Sequence, residues 1–218
     1  MIKAVIFDLD GTLLDTRKDL ADSINLVLKD LNKKQKEQSD IIKNVGHGIR
    51  YLIEKTILPN TTEEMDKASA LFKKHYSKLY NNSTTVYKGI KEAVNMLIEQ
   101  GILVGVVSNK DDEYVQKLIE YHFNRIDRNY VLGGKPGLKK KPSSEPVDQI
   151  IDKMGIKKEE VIYVGDSMVD VETSQNASIY NIICLWGFSD RELMIKNCKH
   201  TIEDPQDILK YIKEKNNA

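Results

Sequence analysis

The chain has 218 residues, 40% of them hydrophobic and 30% charged, which describes a folded globular protein and excludes a disordered one. Its 33 basic residues balance 33 acidic ones, so no net basic field exists to hold nucleic acid or an anionic membrane. No apolar stretch is long enough to span a bilayer, and Asp8 interrupts the opening apolar run too early for a secretory signal. With Cys184 and Cys198 then expected as free thiols, the chain reads as cytoplasmic. Oligomeric state is not legible from these features.

The first expected element is a strand. Ala4-Val5-Ile6-Phe7 is a continuous apolar run, as in a strand covered on both faces of a parallel sheet, and it leads straight into Asp8-Leu9-Asp10-Gly11-Thr12. No strand-like run follows until residue 85. Instead Leu20, Ile24, Val27, Leu28 and Leu31 recur at helical spacing, as do Ile49, Leu52 and Ile53, and then Met65, Ala68, Leu71, Phe72 and Tyr76. We expect residues 16–85 to form a helical cap inserted into a core built from 1–15 and 86–218. The crossings near 14–17 and 82–88 would permit hinge motion.

The core then continues with a helix over Lys91–Gln100 closed by Gly101, a strand over Ile102–Val107, and a helix over Asp112–Tyr121. A helix over Pro146–Met154 has its proline in the first turn. Strands over Val161–Val164 and Ile179–Leu185 follow, and the Lys/Asn-rich tail from Lys210 ends as a fraying helix. Strands alternating with helices predict an α/β fold: a Rossmann-like parallel sheet with right-handed crossovers.

Ligands of such sheets bind beyond the carboxyl ends of the strands. The first strand ends at Asp8 and Asp10, the second at Ser108-Asn109-Lys110, and the third at Gly165-Asp166-Ser167 with Asp170 one turn later. Each stretch alone also reads as a turn or a helix cap. Together they place several carboxylates on one edge, where mutual repulsion would raise some pKa values unless a cation intervened. Hard oxygen ligands, with His47, His75, His122 and His200 scattered, favour Mg²⁺ over zinc. A carboxylate that faces a phosphate beside that cation can act as nucleophile, and a second one two residues on can serve as general acid and base.

Asp8-Leu9-Asp10-Gly11-Thr12, Val107-Ser108-Asn109 and Gly165-Asp166-Ser167-Met168-Val169-Asp170 resemble the first, second and fourth motifs of the haloacid dehalogenase-like phosphatases. The likeness extends over almost the whole chain, and many members carry a helical cap where residues 16–85 stand. It implies Asp8 as nucleophile and metal ligand, Asp10 as acid/base and metal ligand through its carbonyl, Asp166 as metal ligand, and Asp170 as support of that shell. Ser108, Thr12 and backbone amides near Gly11 and Asn109 would hold the phosphoryl group. The third motif of the family is a lysine, often followed by proline. Lys141-Pro142 is our choice for it, because it directly precedes the Pro146 helix, and Lys135-Pro136 competes. Lys141 would neutralise phosphate and steady Asp8. Ala177-Ser178 departs from a glycine common in relatives.

Within the expected cap, Val45-Gly46-His47-Gly48-Ile49-Arg50 is either an anion-receiving loop, with His47 and Arg50 selecting the substrate, or a simple helix start. This stretch resembles the cap loop of phosphoglycolate phosphatase-like members. The expected function is Mg²⁺-dependent hydrolysis of a small phosphorylated metabolite through a phosphoaspartyl intermediate, most like phosphoglycolate phosphatase. A β-phosphoglucomutase-like phosphomutase, an inorganic pyrophosphatase and a non-catalytic binding protein on the same fold are the alternatives.

Overall fold

The computed structural model describes residues 1–217. Strand β1 (Ala4–Phe7) is wholly buried, and its alternating side chains enter two different cores. Val5 and Phe7 join one apolar cluster, Ala4 and Ile6 another. Burying a large apolar side chain contributes about 1.5–3 kcal/mol, so this unbroken apolar run is stable only at the centre of a covered sheet. After β1 the chain turns through Gly11 into the short strand β2 (Leu14–Asp15) and then becomes helical.

Helices α1 (Arg17–Asp30), α2 (Gln38–Ile42), α3 (Ile49–Ile57) and α4 (Thr62–Leu79) form a unit with a core of its own. That core includes Leu20, Ile24, Val27, Ile41, Leu52, Ile53, Met65, Phe72 and Tyr76. The helical spacing of these residues in the sequence is what brings them to one side of each helix. Helix α2 carries too few apolar residues to show in the sequence pattern; Ile41 and Ile42 bury its only apolar edge. The Thr61 hydroxyl starts α4 by accepting from the Glu64 N–H at 3.1 Å.

The chain returns through β3 (Thr85–Val86), which pairs antiparallel with β2. Asp19 of α1 fastens the same two crossings together. Its buried carboxylate accepts from the Ser83 N–H at 2.9 Å and the Thr84 hydroxyl at 2.7 Å.

The remaining elements are α5 (Ile90–Glu99), β4 (Leu103–Asp111), α6 (Asp112–His122), β5 (Val131–Gly134), α7 (Glu145–Met154), β6 (Val161–Gly165), α8 (Met168–Ala177), β7 (Tyr180–Cys184), α9 (Arg191–Asn197), β8 (Thr201–Ile202) and α10 (Asp207–Asn217). The six-stranded sheet is parallel throughout, in the order β5-β4-β1-β6-β7-β8. The connections therefore leave β1 toward opposite sides, which opens a crevice at its carboxyl end.

The strands depart from the sequence expectation in several places: β2, β3, β5 and β8 were not expected. β4 does not end at Val107 but runs on to Asp111, with an irregular register against β5 between those residues. β5 shows no long apolar run, since its second half is Gly133 and Gly134. They are needed there: a side chain at Gly133 would collide with the Asp112 backbone. Among the described residues no helix is long and apolar enough to cross a membrane.

Candidate active site

Asp8 lies directly past β1, its N–H bonded to the Val164 carbonyl of β6 at 2.9 Å. The sheet thus holds its backbone while its side chain emerges into the crevice. Lys141, on the loop before α7, places Nζ 2.8 Å from Asp8 Oδ1 and 2.7 Å from Asp170 Oδ1. That ammonium also lies 3.0 Å from the Tyr163 hydroxyl. Asp8 Oδ1 touches it as an ion pair only and has no partner in hydrogen-bond geometry. Burial pushes the Asp8 carboxyl up to about 7, against the pull of Lys141. The competing Lys135 is half exposed and pairs with Asp112 at 3.1 Å, so the lysine at Asp8 is Lys141.

Asp10 faces elsewhere. Its carboxylate accepts from Lys110 Nζ at 2.9 and 3.1 Å and from the Thr16 hydroxyl at 2.7 Å. The two acids therefore tolerate each other by taking separate lysines, one from β4 and one from the loop before α7. Sequence reasoning assigned Lys110 no role. Its position next to Asn109, at the end of a strand, was the available signal.

Asn109 was expected to offer phosphate a backbone amide, and its side chain has a separate task. The amide oxygen accepts from the Lys141 N–H at 2.8 Å, and the amide nitrogen donates to the Lys141 carbonyl at 2.9 Å and the Gly46 carbonyl at 2.8 Å. This side chain fixes the lysine-bearing loop and ties the 45–48 loop of the helical unit to the sheet. The Ser108 hydroxyl accepts from the Lys110 N–H at 3.3 Å and lines the cavity. Thr12 is fully buried with its hydroxyl unpartnered, and its carbonyl accepts from Trp186 Nε1 at 3.1 Å.

Asp166 and Asp170 come from the start of α8. Asp170 caps that helix, accepting from the Ser167 N–H at 3.0 Å and the Ser167 hydroxyl at 2.6 Å, while its other oxygen meets Lys141. Its acceptor sites are thus spent on holding the lysine and the helix end. Asp166 Oδ2 accepts from the Phe188 N–H at 2.6 Å. Gly11 and Gly187 close on this carboxylate from two sides: a Cβ would stand 2.4 Å from Asp166 Oδ2 at Gly11, and 2.3 Å from Asp166 Cβ at Gly187. Gly11 also needs glycine for its φ of +86°. The Trp186-Gly187-Phe188 segment was another omission of the sequence reading, since nothing local distinguishes it from an ordinary loop after β7.

One carboxylate oxygen each from Asp8, Asp166 and Asp170 lies within 4.8 Å of the others. Burial and the neighbouring acids hold the Asp166 carboxyl well above the usual carboxylate range. An all-oxygen donor set, the crowded charge and the unbonded Asp8 oxygen fit a small hard divalent cation, with Asp8 and Asp166 better placed to bind it than the saturated Asp170.

Two hollows meet at Asp8 and Asp10. An outer cleft runs past Asp166, Ser167, Phe188 and the exposed His47. An inner cavity of about 50 Å³ reaches under α1, α3 and α4 and is lined by Leu20, Ile49, Leu52, Phe72, Tyr76 and Lys110, among others. Arg50 borders neither: its side chain is 63% exposed and lies 3.9 Å from Asp66. The structure therefore brings His47 to the rim and leaves Arg50 outside.

Residues 5–184 match the family described as haloacid dehalogenase-like hydrolase. The phosphoglycolate phosphatase of Aquifex aeolicus is 30% identical over 209 residues, covering 96% of each chain. That of Aliivibrio fischeri is 28% identical, covering 88% of this chain and 87% of its own. Among solved structures, a predicted phosphoglycolate phosphatase from Haemophilus somnus superposes with a TM-score of 0.89 at 26% identity, over 97% of this chain and 98% of the other.

Proposed function

The chain belongs to the haloacid dehalogenase-like hydrolases and is a phosphatase, and on that premise we propose that it hydrolyses a small phosphorylated metabolite, phosphoglycolate foremost, with Mg²⁺ as cofactor. The observation that carries this reading is the division of labour at the end of β1. Asp8 and Asp10 stand two residues apart, one on Lys141 and the other on Lys110 and Thr16.

Asp8 attacks phosphorus with a carboxylate oxygen, and the bond from phosphorus to the ester oxygen breaks. Asp10 gives its proton to the departing oxygen. Asp10 then takes a proton from water as that water attacks phosphorus, which frees Asp8 and releases inorganic phosphate. Lys141 supplies positive charge beside the attacking carboxylate, and Ser108 and backbone amides near Gly11 and Asn109 bind phosphoryl oxygens. Thr12, wholly buried and outside both hollows, and the Gly11 N–H, which donates to the Leu14 carbonyl, support the loop instead. Asp8, Asp166 and the Asp10 carbonyl would hold Mg²⁺, which when bound stabilises the charge developing on the phosphoryl oxygens. Asp170 acts through Lys141 and through the turn that carries Asp166. His47, at the rim, is placed to meet a substrate on its way in.

A panel of phosphorylated metabolites ranked by kcat/KM with Mg²⁺ tests the reading. Phosphoglycolate should rank among the best substrates, and Asp8→Asn should be inactive on all of them. Turnover of normal size in Asp8→Asn would sink it.

A further inference from the structure

The reaction just described leaves the Tyr76 hydroxyl proton without a task. Lys110 is buried, and its contacts with the two oxygens of Asp10 employ at most two of its three N–H groups. Its Nζ also lies 4.9 Å from the centre of the Tyr76 ring, so an α4 residue and a β4 residue meet across the inner cavity. Among the described residues, Lys110 is the one cation on that cavity's lining.

Tyr76 is 2% exposed, and its hydroxyl has no hydrogen-bond partner. Phe72 stacks on the ring at 5.1 Å and Tyr114 meets it edge-on at 4.9 Å, which fixes the hydroxyl in place. The ammonium beside it offers no lone pair, so the phenolic proton has no acceptor nearby. A buried donor is costly to leave unpaired, and a native site that keeps one has a use for it. Burial also raises the Tyr76 pKa, so the hydroxyl stays a donor at any working pH.

The cavity size limits what could accept that proton. A water-sized group needs about 10–15 Å³ of such space, and the cavity measures about 50 Å³. A fragment the size of a carboxymethyl group fits that space.

We propose that Tyr76 and Lys110 are the specificity-determining pair of this site and bind a carboxylate at the end of the substrate remote from phosphorus. The Tyr76 O–H donates a hydrogen bond to a group that only accepts, and the Lys110 ammonium adds its positive charge. The assignment rests on the phosphatase reading and moves substrate selection from the 47–50 loop to the cavity floor.

The test compares phosphoglycolate with ethyl phosphate, an ester of similar length without the carboxylate. Tyr76→Phe removes one oxygen from a ring held by its neighbours. It should lower kcat/KM for phosphoglycolate about 10- to 100-fold, chiefly through KM, and change that for ethyl phosphate less than about threefold. Lys110→Met should cut the ratio of the two kcat/KM values by at least about tenfold, whatever it does to both through Asp10. Calorimetry of phosphoglycolate binding to Asp8→Asn, with and without Tyr76→Phe, should show the same loss of affinity without turnover. Equal losses on both esters, or an unchanged ratio, overturn the assignment and leave the phosphatase reading standing. Wild-type protein that cleaves neither ester overturns the proposed phosphoglycolate substrate itself, and the assignment with it.

Discussion

Lys141 Nζ lies 2.7 Å from Asp170 Oδ1, and the side chains are 2% and 0% exposed. Two opposite charges so completely removed from water depend on each other, since either alone would be an uncompensated buried charge. Asp170→Asn should therefore destabilise the fold by on the order of 3 kcal/mol, read as a lower urea midpoint. Because the lysine would then lean toward Asp8, kcat should fall as well. Unchanged stability would mean that Asp170 does not carry the lysine.

Metal binding has a direct readout in stability. The carboxylates of Asp8, Asp166 and Asp170 repel one another in a buried site, and a divalent cation relieves that repulsion in the folded state only. Mg²⁺ should raise the Tm of the wild-type protein, and chelator should reverse the rise. Asp166→Asn should abolish most of the Mg²⁺-dependent increment. An equal increment in that variant would place the cation elsewhere.

Gly187 should be intolerant of a methyl group. A Cβ there would stand 2.3 Å from Asp166 Cβ, far inside van der Waals contact, so Asp166 or the loop must move. Gly187→Ala should weaken Mg²⁺ affinity at least about tenfold, the usual scale for disturbing the support of a metal ligand. Titration of Tm against Mg²⁺ measures it, and wild-type affinity in the variant would refute the contact.

Asp19 should matter to the crossings between the helical unit and the sheet. Replacing it with Ala leaves the Ser83 N–H and the Thr84 hydroxyl without this acceptor. A loss of about 2–3 kcal/mol follows, together with faster amide exchange at Ser83. Exchange as slow as in the wild type would show that the crossings are held by the β2–β3 pair alone.

His122 predicts part of the acid sensitivity. Its ring nitrogen lies 2.7 Å from Asn81 Oδ1, and burial, helped by Lys91, holds its pKa below the ordinary value. The unfolded chain therefore binds a proton more readily than the folded one. The contribution of His122 to stability is complete above its free pKa of about 6.5 and is lost as pH falls from there through the folded value. His122→Gln should flatten the decline in urea midpoint between about pH 7 and pH 5. A slope identical to wild type would exclude this residue as a source.

Much of the molecule was legible in order along the chain. The apolar run Ala4–Phe7 could only be a doubly covered strand, and the period of Leu20 to Leu28 or Met65 to Tyr76 could only be helical. Acids and small polar residues after three separate strands placed the crevice, because a parallel sheet sends those strand ends to one edge. These are properties of neighbouring residues, and local backbone periodicity records them. What the tertiary structure decided lies between residues far apart. Val131–Gly134 becomes a strand only because β4 offers an edge to pair with and leaves no room for side chains at Gly133. Lys141 rather than Lys135 meets Asp8, Asn109 spends its amide on Lys141 and Gly46, and Asp10 turns to Lys110, because loops of unrelated sequence converge there. Contact between distant segments leaves no period in the chain, and so the partners of each charge became known only from the packed fold.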